Sequence, residues 1–174
     1  MKVIEMFILN TNDPFDLFNQ WFEEAKKSEI NDPNAMSLAT VGAGSKPSVR
    51  IVLMKNYDKD GFVFYTNLTS RKGSELTQNP HASVAFHWKT LAKQIRIDGI
   101  TEAVSEEEAD EYFQTRARIS QIGAWASKQS QPLADRDQLL EAVKRFETKY
   151  HEKQVPRPTH WSGLRLKPTR IEFW

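Results

Sequence analysis

Three groups of cationic and hydroxyl-bearing residues in this chain have the types and spacing to hold phosphate. In "FYTNLTSRKGSEL" (64–76) a strand-like run gives way to a helix start at Ser70, and Arg71 and Lys72 fall in the first turn. The free N–H groups of a first turn carry about half a positive charge, so each cation there costs roughly a few tenths of a kcal/mol unless an anion sits nearby. With an anion in place, both cations, the N–H groups and the hydroxyls of Thr66, Thr69 and Ser70 make a phosphate cradle. The same residues also read as an ordinary Ser70 N-cap with two cations in water, and local sequence leaves the choice open.

The second group lies in "RIVLMK" (50–55). In a strand, Arg50 shares a face with Val52 and Met54, while Lys55 ends the opposite row of Val49, Ile51 and Leu53. Lys55 reads comfortably as a solvated strand end. Arg50 is flanked by strand on both sides and needs a partner. The third group is Tyr112, Arg116 and Ser120, at i, i+4 and i+8. On one helix they form a stripe drifting by roughly 80°, a donor-rich surface suited to phosphate. The competing reading is that Glu108, one turn earlier, pairs with neighbouring bases and the stripe is incidental.

These residues need elements to carry them. Asp13-Pro14 has the form of an N-cap followed by proline at N1, and Leu17, Phe18, Trp21, Phe22 and Ala25 recur at helical spacing to about Ser28. "MSLATV" (36–41), the turn "GAGSKP" (42–47), "SVRIVLMK" (48–55), the turn "YDKDG" (57–61) and "FVFYT" (62–66) form a strand meander. A short helix from Ser70 precedes two more strands, "HASVAFHW" (81–88) and "KQIRIDGITEAV" (93–104), the latter alternating Ile95 and Ile97 with polar neighbours. Ser105 and Glu108 form a capping-box pattern that opens a helix through about Arg118. "SQIGAWASKQS" (120–130) is less periodic and either lines a ligand or joins two helices. A charged helix follows from about Asp135 to Glu152, and "HWSGLRLKPTRIEFW" (160–174) is strand-like with a turn at Lys167-Pro168. The acidic run "SEEEADE" (105–111) suits a solvated helix start and carries no assigned function. Strands in hairpin succession without βαβ alternation predict an α+β protein, mainly antiparallel, built on a sheet or small barrel.

Composition narrows the classes. The 174 residues form one expected domain, 1–174, with a charge of +1 from 24 basic and 23 acidic residues, which removes any overall drive toward nucleic acid or anionic lipid. No cysteine is present and the four histidines lack ligand spacing, so disulfides, thiolate chemistry and a metal site are not expected. Neither a G-x-G-x-x-G nor a Walker A loop occurs. The opening "MKVIEMFILN" is too short to span a bilayer and lacks a cleavage signal, so the expectation is a soluble cytoplasmic protein without membrane contact.

Taken together, "RIVLMK", "FYTNLTSRKGSEL", "KQIRIDG", "YFQTRARISQIGAWASKQS" and "IEFW" closely resemble the pyridoxine (pyridoxamine) 5′-phosphate oxidase family, in order from Asp13 to Trp174. The resemblance implies an FMN-binding split β-barrel with flanking helices, forming a homodimer with flavin mononucleotide (FMN) at the subunit interface. It places the flavin phosphate among Arg50, Arg71, Lys72 and Ser130. Ile51, Val52, Leu53, Met54, Lys55, Tyr65, Thr66, Gln94, Gln129 and Trp174 would hold the rest of the flavin. The substrate phosphate would fall to Lys55, Tyr112, Arg116 and Ser120. The implied reaction oxidises pyridoxamine or pyridoxine 5′-phosphate to pyridoxal 5′-phosphate with dioxygen as electron acceptor. No side-chain nucleophile is implied, and the resemblance identifies no catalytic residue.

Two family elements have no counterpart in the sequence. Upstream of the Asp-Pro helix stands "MKVIEMFILNTN" (1–12), a variable segment, instead of an Arg-Arg-x-Tyr element, and no Arg-x-His-Asp-Arg segment follows Trp174. An apolar strand ending there is expected to leave a sheet edge unpaired. A truncated or non-catalytic relative that binds FMN or pyridoxal phosphate is therefore the alternative to an active oxidase. A third reading is a flavin oxidase of the phenazine-biosynthesis type, against which the Tyr112, Arg116 and Ser120 stripe argues by calling for a phosphorylated substrate.

Overall fold

The computed structural model describes residues 13–174, so the variable segment at 1–12 and the reading of "MKVIEMFILN" as too short for a bilayer lie outside the described residues. Helix α1, Pro14–Ser28, begins where Asp13 caps it by accepting from the Phe15 N–H at 2.9 Å. Its apolar stripe of Leu17, Phe18, Trp21, Phe22 and Ala25 is buried. The Phe18 ring lies edge-on to Tyr57, Phe62 and Phe86 at 4.9, 4.8 and 5.4 Å, which seats the helix on the main core.

Six strands build the body of the fold: β1 Ala35–Val41, β2 Pro47–Asp58, β3 Gly61–Asn67, β4 His81–Trp88, β5 Lys93–Ala103 and β6 Trp161–Phe173. They pair antiparallel in the order β1-β2-β3-β6-β5-β4 and close into a barrel. Alternation sends Ile95 and Ile97 of β5 inward. On β2 the row Arg50, Val52 and Met54 faces in, while Val49 and Ile51 are 69% and 63% exposed.

Two expectations about β6 are corrected. It is not an unpaired edge, since it lies between β3 and β5, with Trp161–Leu166 on the first and Leu164–Phe173 on the second. Nor is there a turn at Lys167-Pro168. The strand runs on through a bulge, with Gly99 facing Pro168 and Asp98 facing Arg170, so that Thr169 is the extra residue. Proline has no N–H for the ladder and is tolerated where the ladder is interrupted. Gly99 is required opposite it, because a Cβ there would stand 2.2 Å from the Lys167 carbonyl oxygen.

The remaining helices are α2 Arg71–Gln78, α3 Glu106–Thr115, α4 Arg118–Ala126 and α5 Arg136–Lys149. Only half of the expected capping box forms: the Ser105 hydroxyl accepts from the Glu108 N–H, and the Glu108 carboxylate instead meets Arg165 at 3.4 Å. The helix expected from Ser105 through about Arg118 is α3, which stops at Thr115 because Arg116 and Ala117 adopt extended ψ angles of 145° and 138°, and a separate helix, α4, starts at Arg118. Buried Gln121 accounts for the break by donating to the Phe113 carbonyl at 2.9 Å, supplying a free end of α3 with the partner that the next helical turn would have given. "SQIGAWASKQS" is correspondingly helical up to Ala126. The second core cluster packs Phe113, Ile122, Tyr150, Val155 and Trp161 between these helices and β6. Among the described residues, no helix is long and apolar enough to cross a membrane.

Candidate active site

A cleft of about 440 Å³ opens where β2 and β3 face α3 and α4. Of the residues singled out in the sequence, Ile51, Val52, Leu53, Lys55, Tyr65, Thr66, Lys72 and Gln129 line it, together with Tyr112, Arg116 and Ser120. The last three meet there although they do not share a helix. Tyr112 is on α3, Arg116 is its C-cap and Ser120 is on α4, so the i, i+4, i+8 stripe is corrected while its members still converge. The kink turns α4 so that Gly123, Ala124 and Ser127 also reach the wall.

At one end the cations are organised by a carboxylate that the sequence reading passed over. Glu75 on α2 accepts from Arg71 Nε at 2.9 Å and Arg50 Nη2 at 3.2 Å, and from the hydroxyls of Thr40 and Ser48 at 2.5 Å. Burial pushes the Glu75 carboxyl up, but the hydrogen bonds from Ser48, Thr40 and Arg71 outweigh it and hold its pKa at about 2. Arg50 thus has the partner its strand position demands, and Arg71 meets Glu75 at i+4, a spacing that could have been read from the sequence. Lys72 differs. Its ammonium donates to Gln129 Oε1 at 2.8 Å and the Ser70 hydroxyl at 3.3 Å, both neutral. Burial and the neighbouring Arg50 charge lower its pKa, as befits a cation short of counter-charge.

At the other end Arg116 is held by rings. Its guanidinium carbon lies 4.6 Å from the Trp161 ring centroid and 5.6 Å from that of Phe113. Its Nη1 is buried without a hydrogen-bond partner among the described residues. Burial lowers the Arg116 pKa, against the opposing influence of Tyr112, yet a guanidinium stays charged. Tyr65 stacks on Tyr112 at 4.0 Å and on Trp161 at 5.2 Å, giving the cleft a wall of parallel rings. Burial, reinforced by the Glu108 charge, pushes the Tyr65 phenol up to about 12, so it is a neutral donor at any working pH. Trp161, 45 residues along the chain from Arg116, carried no local signal of this contact.

The other predicted site residues sit elsewhere on the chain. Arg50 and Arg71 stand behind Lys72, bonded to Glu75, and the Met54 side chain is in the core. Ser130, at φ 65°, borders a second cavity of about 860 Å³ against α5, which shares Gln129 with the cleft. Gln94 and Trp174 exchange both backbone hydrogen bonds at 2.8 Å, and Trp174 lines a third cavity of about 610 Å³ with Trp21 and Lys93.

A family profile described as pyridoxamine 5′-phosphate oxidase matches residues 22–150. A pyridoxine/pyridoxamine 5′-phosphate oxidase of Pelagibacter ubique (strain HTCC1062) is 56% identical over 167 residues, covering 95% of this chain and 80% of its own length. One of Zymomonas mobilis is 54% identical over 164 residues, covering 94% and 85%. Among solved structures, PhzG from Burkholderia lata 383, in complex with tetrahydrophenazine-1-carboxylic acid, superposes with a TM-score of 0.89 at 32% identity over 95% of this chain and 81% of its own. A pyridoxamine 5′-phosphate oxidase-related, FMN binding protein from Nostoc punctiforme shares the fold at a TM-score of 0.72 and 14% identity, covering 94% of this chain and 85% of its own.

Proposed function

Because the chain belongs to the pyridoxamine 5′-phosphate oxidase family, we propose that it oxidises pyridoxamine 5′-phosphate or pyridoxine 5′-phosphate to pyridoxal 5′-phosphate, using FMN and dioxygen. The observation that carries this reading is the buried, unpartnered Arg116 Nη1 in a cleft that also holds Lys55, Tyr112 and Ser120. A buried cationic N–H left without an acceptor is costly, and a phosphate ester would satisfy it with a charge-assisted bond while the other three supply further donors.

The second cationic end fits a flavin phosphate. Among the described residues no carboxylate is paired with Lys72, Thr66 and Ser70 bring hydroxyls beside it, and Gln129 is already in contact. Arg50 and Arg71 would add charge from behind, with Ser130 closing the loop side. When bound, FMN would supply the two-electron acceptor for the carbon that becomes the aldehyde, with dioxygen as final oxidant and hydrogen peroxide as its product, and conversion of the pyridoxamine ester would also take up water and release ammonia. The chain's own part is positioning. Lys55, Tyr112, Arg116 and Ser120 fix the phosphate end of the substrate, while Tyr65, Tyr112 and Trp161 wall the cleft against water. No side chain need become a nucleophile.

In this reading the chain is one domain and works as a homodimer. Trp174, backbone-bonded to Gln94, lines a different cavity from Lys72 and Thr66, which fits one flavin lying between two copies and touched by both sets. The exposed Val49 and Ile51 offer an apolar row for the second copy to cover. The phosphorylated substrate is too polar to cross a bilayer, which suits a cytoplasmic enzyme. A carboxylated substrate, like the ligand of PhzG, is the second reading. It is disfavoured because the two cations Lys55 and Arg116, with Tyr112 and Ser120 beside them, match the two negative charges and three terminal oxygens of a phosphate ester better than the single charge and two oxygens of a carboxylate.

The deciding experiment is the visible spectrum of the flavin-loaded protein as pyridoxamine 5′-phosphate is added without oxygen. Bleaching, followed by recovery of colour and formation of pyridoxal 5′-phosphate on admitting air, is expected. Flavin that stays oxidised would make the chain a binding protein, and protein that takes up no FMN would end the proposal.

A further inference from the structure

Buried arginines elsewhere in this structure are held by acids. Arg157 pairs with Glu106 and with Asp110 at 2.6 Å, and Arg165 pairs with Asp58 at 2.6 Å and Glu108 at 3.4 Å. Arg116 is different: among the described residues no carboxylate is paired with it, and what its guanidinium meets is the face of Trp161 at 4.6 Å and Phe113 at 5.6 Å. Trp161 is itself fixed. It is 6% exposed, opens β6 opposite Asn67, and is packed edge-on to Phe113 at 5.1 Å and parallel to Tyr65 at 5.2 Å.

The difference has a chemical consequence. A carboxylate would hold the guanidinium equally well, but it would occupy the N–H groups that a ligand needs and repel an incoming dianion. An aromatic face holds the cation through its quadrupole, accepts none of the in-plane N–H bonds, and brings no negative charge to the cleft. We infer that Trp161 is the positioning residue for Arg116, holding the guanidinium by a cation–π contact so that its charge and its buried Nη1 remain free for the phosphate of the substrate. Tryptophan suits this place better than phenylalanine because its ring offers the strongest cation–π face. The inference rests on the reading of Arg116 as the substrate-phosphate ligand, and its test separates the two.

The probe is 4-deoxypyridoxine 5′-phosphate, whose 4-methyl group has no amine or hydroxyl to be oxidised, compared with unphosphorylated 4-deoxypyridoxine. Binding of each to the flavin-loaded protein is measured by equilibrium dialysis. Trp161→Leu should weaken the phosphorylated ligand about tenfold more than the unphosphorylated one, and Trp161→Phe should recover part of that difference. Trp161→Leu also removes core packing. Tryptophan fluorinated at position 161 alone keeps the shape and weakens the quadrupole, so phosphate-dependent affinity should fall stepwise with each fluorine. Unchanged affinity across the fluorinated series, or equal loss for both ligands, would overturn the role given to Trp161. Arg116→Ala is the control: if it leaves preference for the phosphorylated ligand intact, the substrate-phosphate assignment fails first. If it abolishes that preference while fluorination does nothing, only the cation–π inference fails.

Discussion

The Arg50 guanidinium on β2 meets the Glu75 carboxylate on α2 at 3.2 Å, and this bond ties the barrel wall to the helix whose first turn carries Arg71 and Lys72. Thr40 and Ser48 donate to the same carboxylate oxygen, so a single acid organises groups from β1, β2 and α2. Glu75→Ala would leave the Thr40 and Ser48 hydroxyls without their shared carboxylate and a largely buried arginine without its counter-charge, with only the neutral oxygens of Leu38, Thr40 and Ser48 to donate to. It is expected to lower unfolding free energy by about 3 kcal/mol, which urea denaturation followed by tryptophan fluorescence would measure.

Glu75 also sets a pH dependence. Its folded pKa of about 2 lies below the ordinary 4.5, so the stability it contributes is present above pH 4.5 and is lost as pH falls toward 2. Acid unfolding involves many carboxylates, and Glu75→Gln isolates this one. The stability difference between wild type and Glu75→Gln should shrink across that window. A constant difference would mean that Glu75 is not ionised as its hydrogen bonds require.

Arg116→Ala should raise the KM for pyridoxamine 5′-phosphate roughly 10- to 100-fold, the range for losing a charge-assisted hydrogen bond. Flavin retention should be nearly intact, because the cations at the other end of the cleft are untouched. Steady-state kinetics with parallel flavin titration checks this. Equal loss of substrate and flavin would show that the two phosphate sites have been divided wrongly.

Lys72 gives the opposite pattern. Lys72→Met should weaken flavin binding about tenfold while leaving the affinity for riboflavin, which has no phosphate, unchanged. Since the Lys72 pKa is lowered by burial and by Arg50, wild-type affinity for FMN should begin to fall with rising pH before the ordinary lysine value of 10.5 is reached. Fluorescence titration of flavin at increasing pH reads both effects.

What could be read in the sequence, and what could not, divides by the range of the interactions involved. Helix α1 was legible because its cap, its proline and its apolar period are all local. The strands were legible from alternation and a barrel was expected from their hairpin succession and the family resemblance, but that β6 has a neighbour on each side was not, since it depends on pairings such as Phe62 with Leu166. Pro168 suggested a turn because proline usually ends a ladder, and the bulge that keeps it in the strand is made with Gly99 on β5. The break at Arg116–Ala117 has no proline or glycine to announce it and follows from Gln121 reaching back to the Phe113 carbonyl. In the cleft, Tyr112, Arg116 and Ser120 were correctly grouped for a partly wrong reason: the periodicity that selected them stops between them. Trp161 could be placed beside Arg116 only by the fold.

Val49 provides the last test, on assembly. It is 69% exposed beside Ile51 on β2, and Ile51 also lines the cleft, so the apolar row and the proposed flavin site are contiguous. A charge placed at Val49 would have to be desolvated if a second copy covers this row, at a cost well above that of an exposed substitution. Val49→Glu should therefore shift the protein from dimer toward monomer in analytical ultracentrifugation. It should release FMN in step, with the monomer still folded because the side chain points away from the core. A Val49→Glu protein that stays dimeric would place the interface on another face, and a monomer that keeps its flavin would show that one chain suffices to hold it.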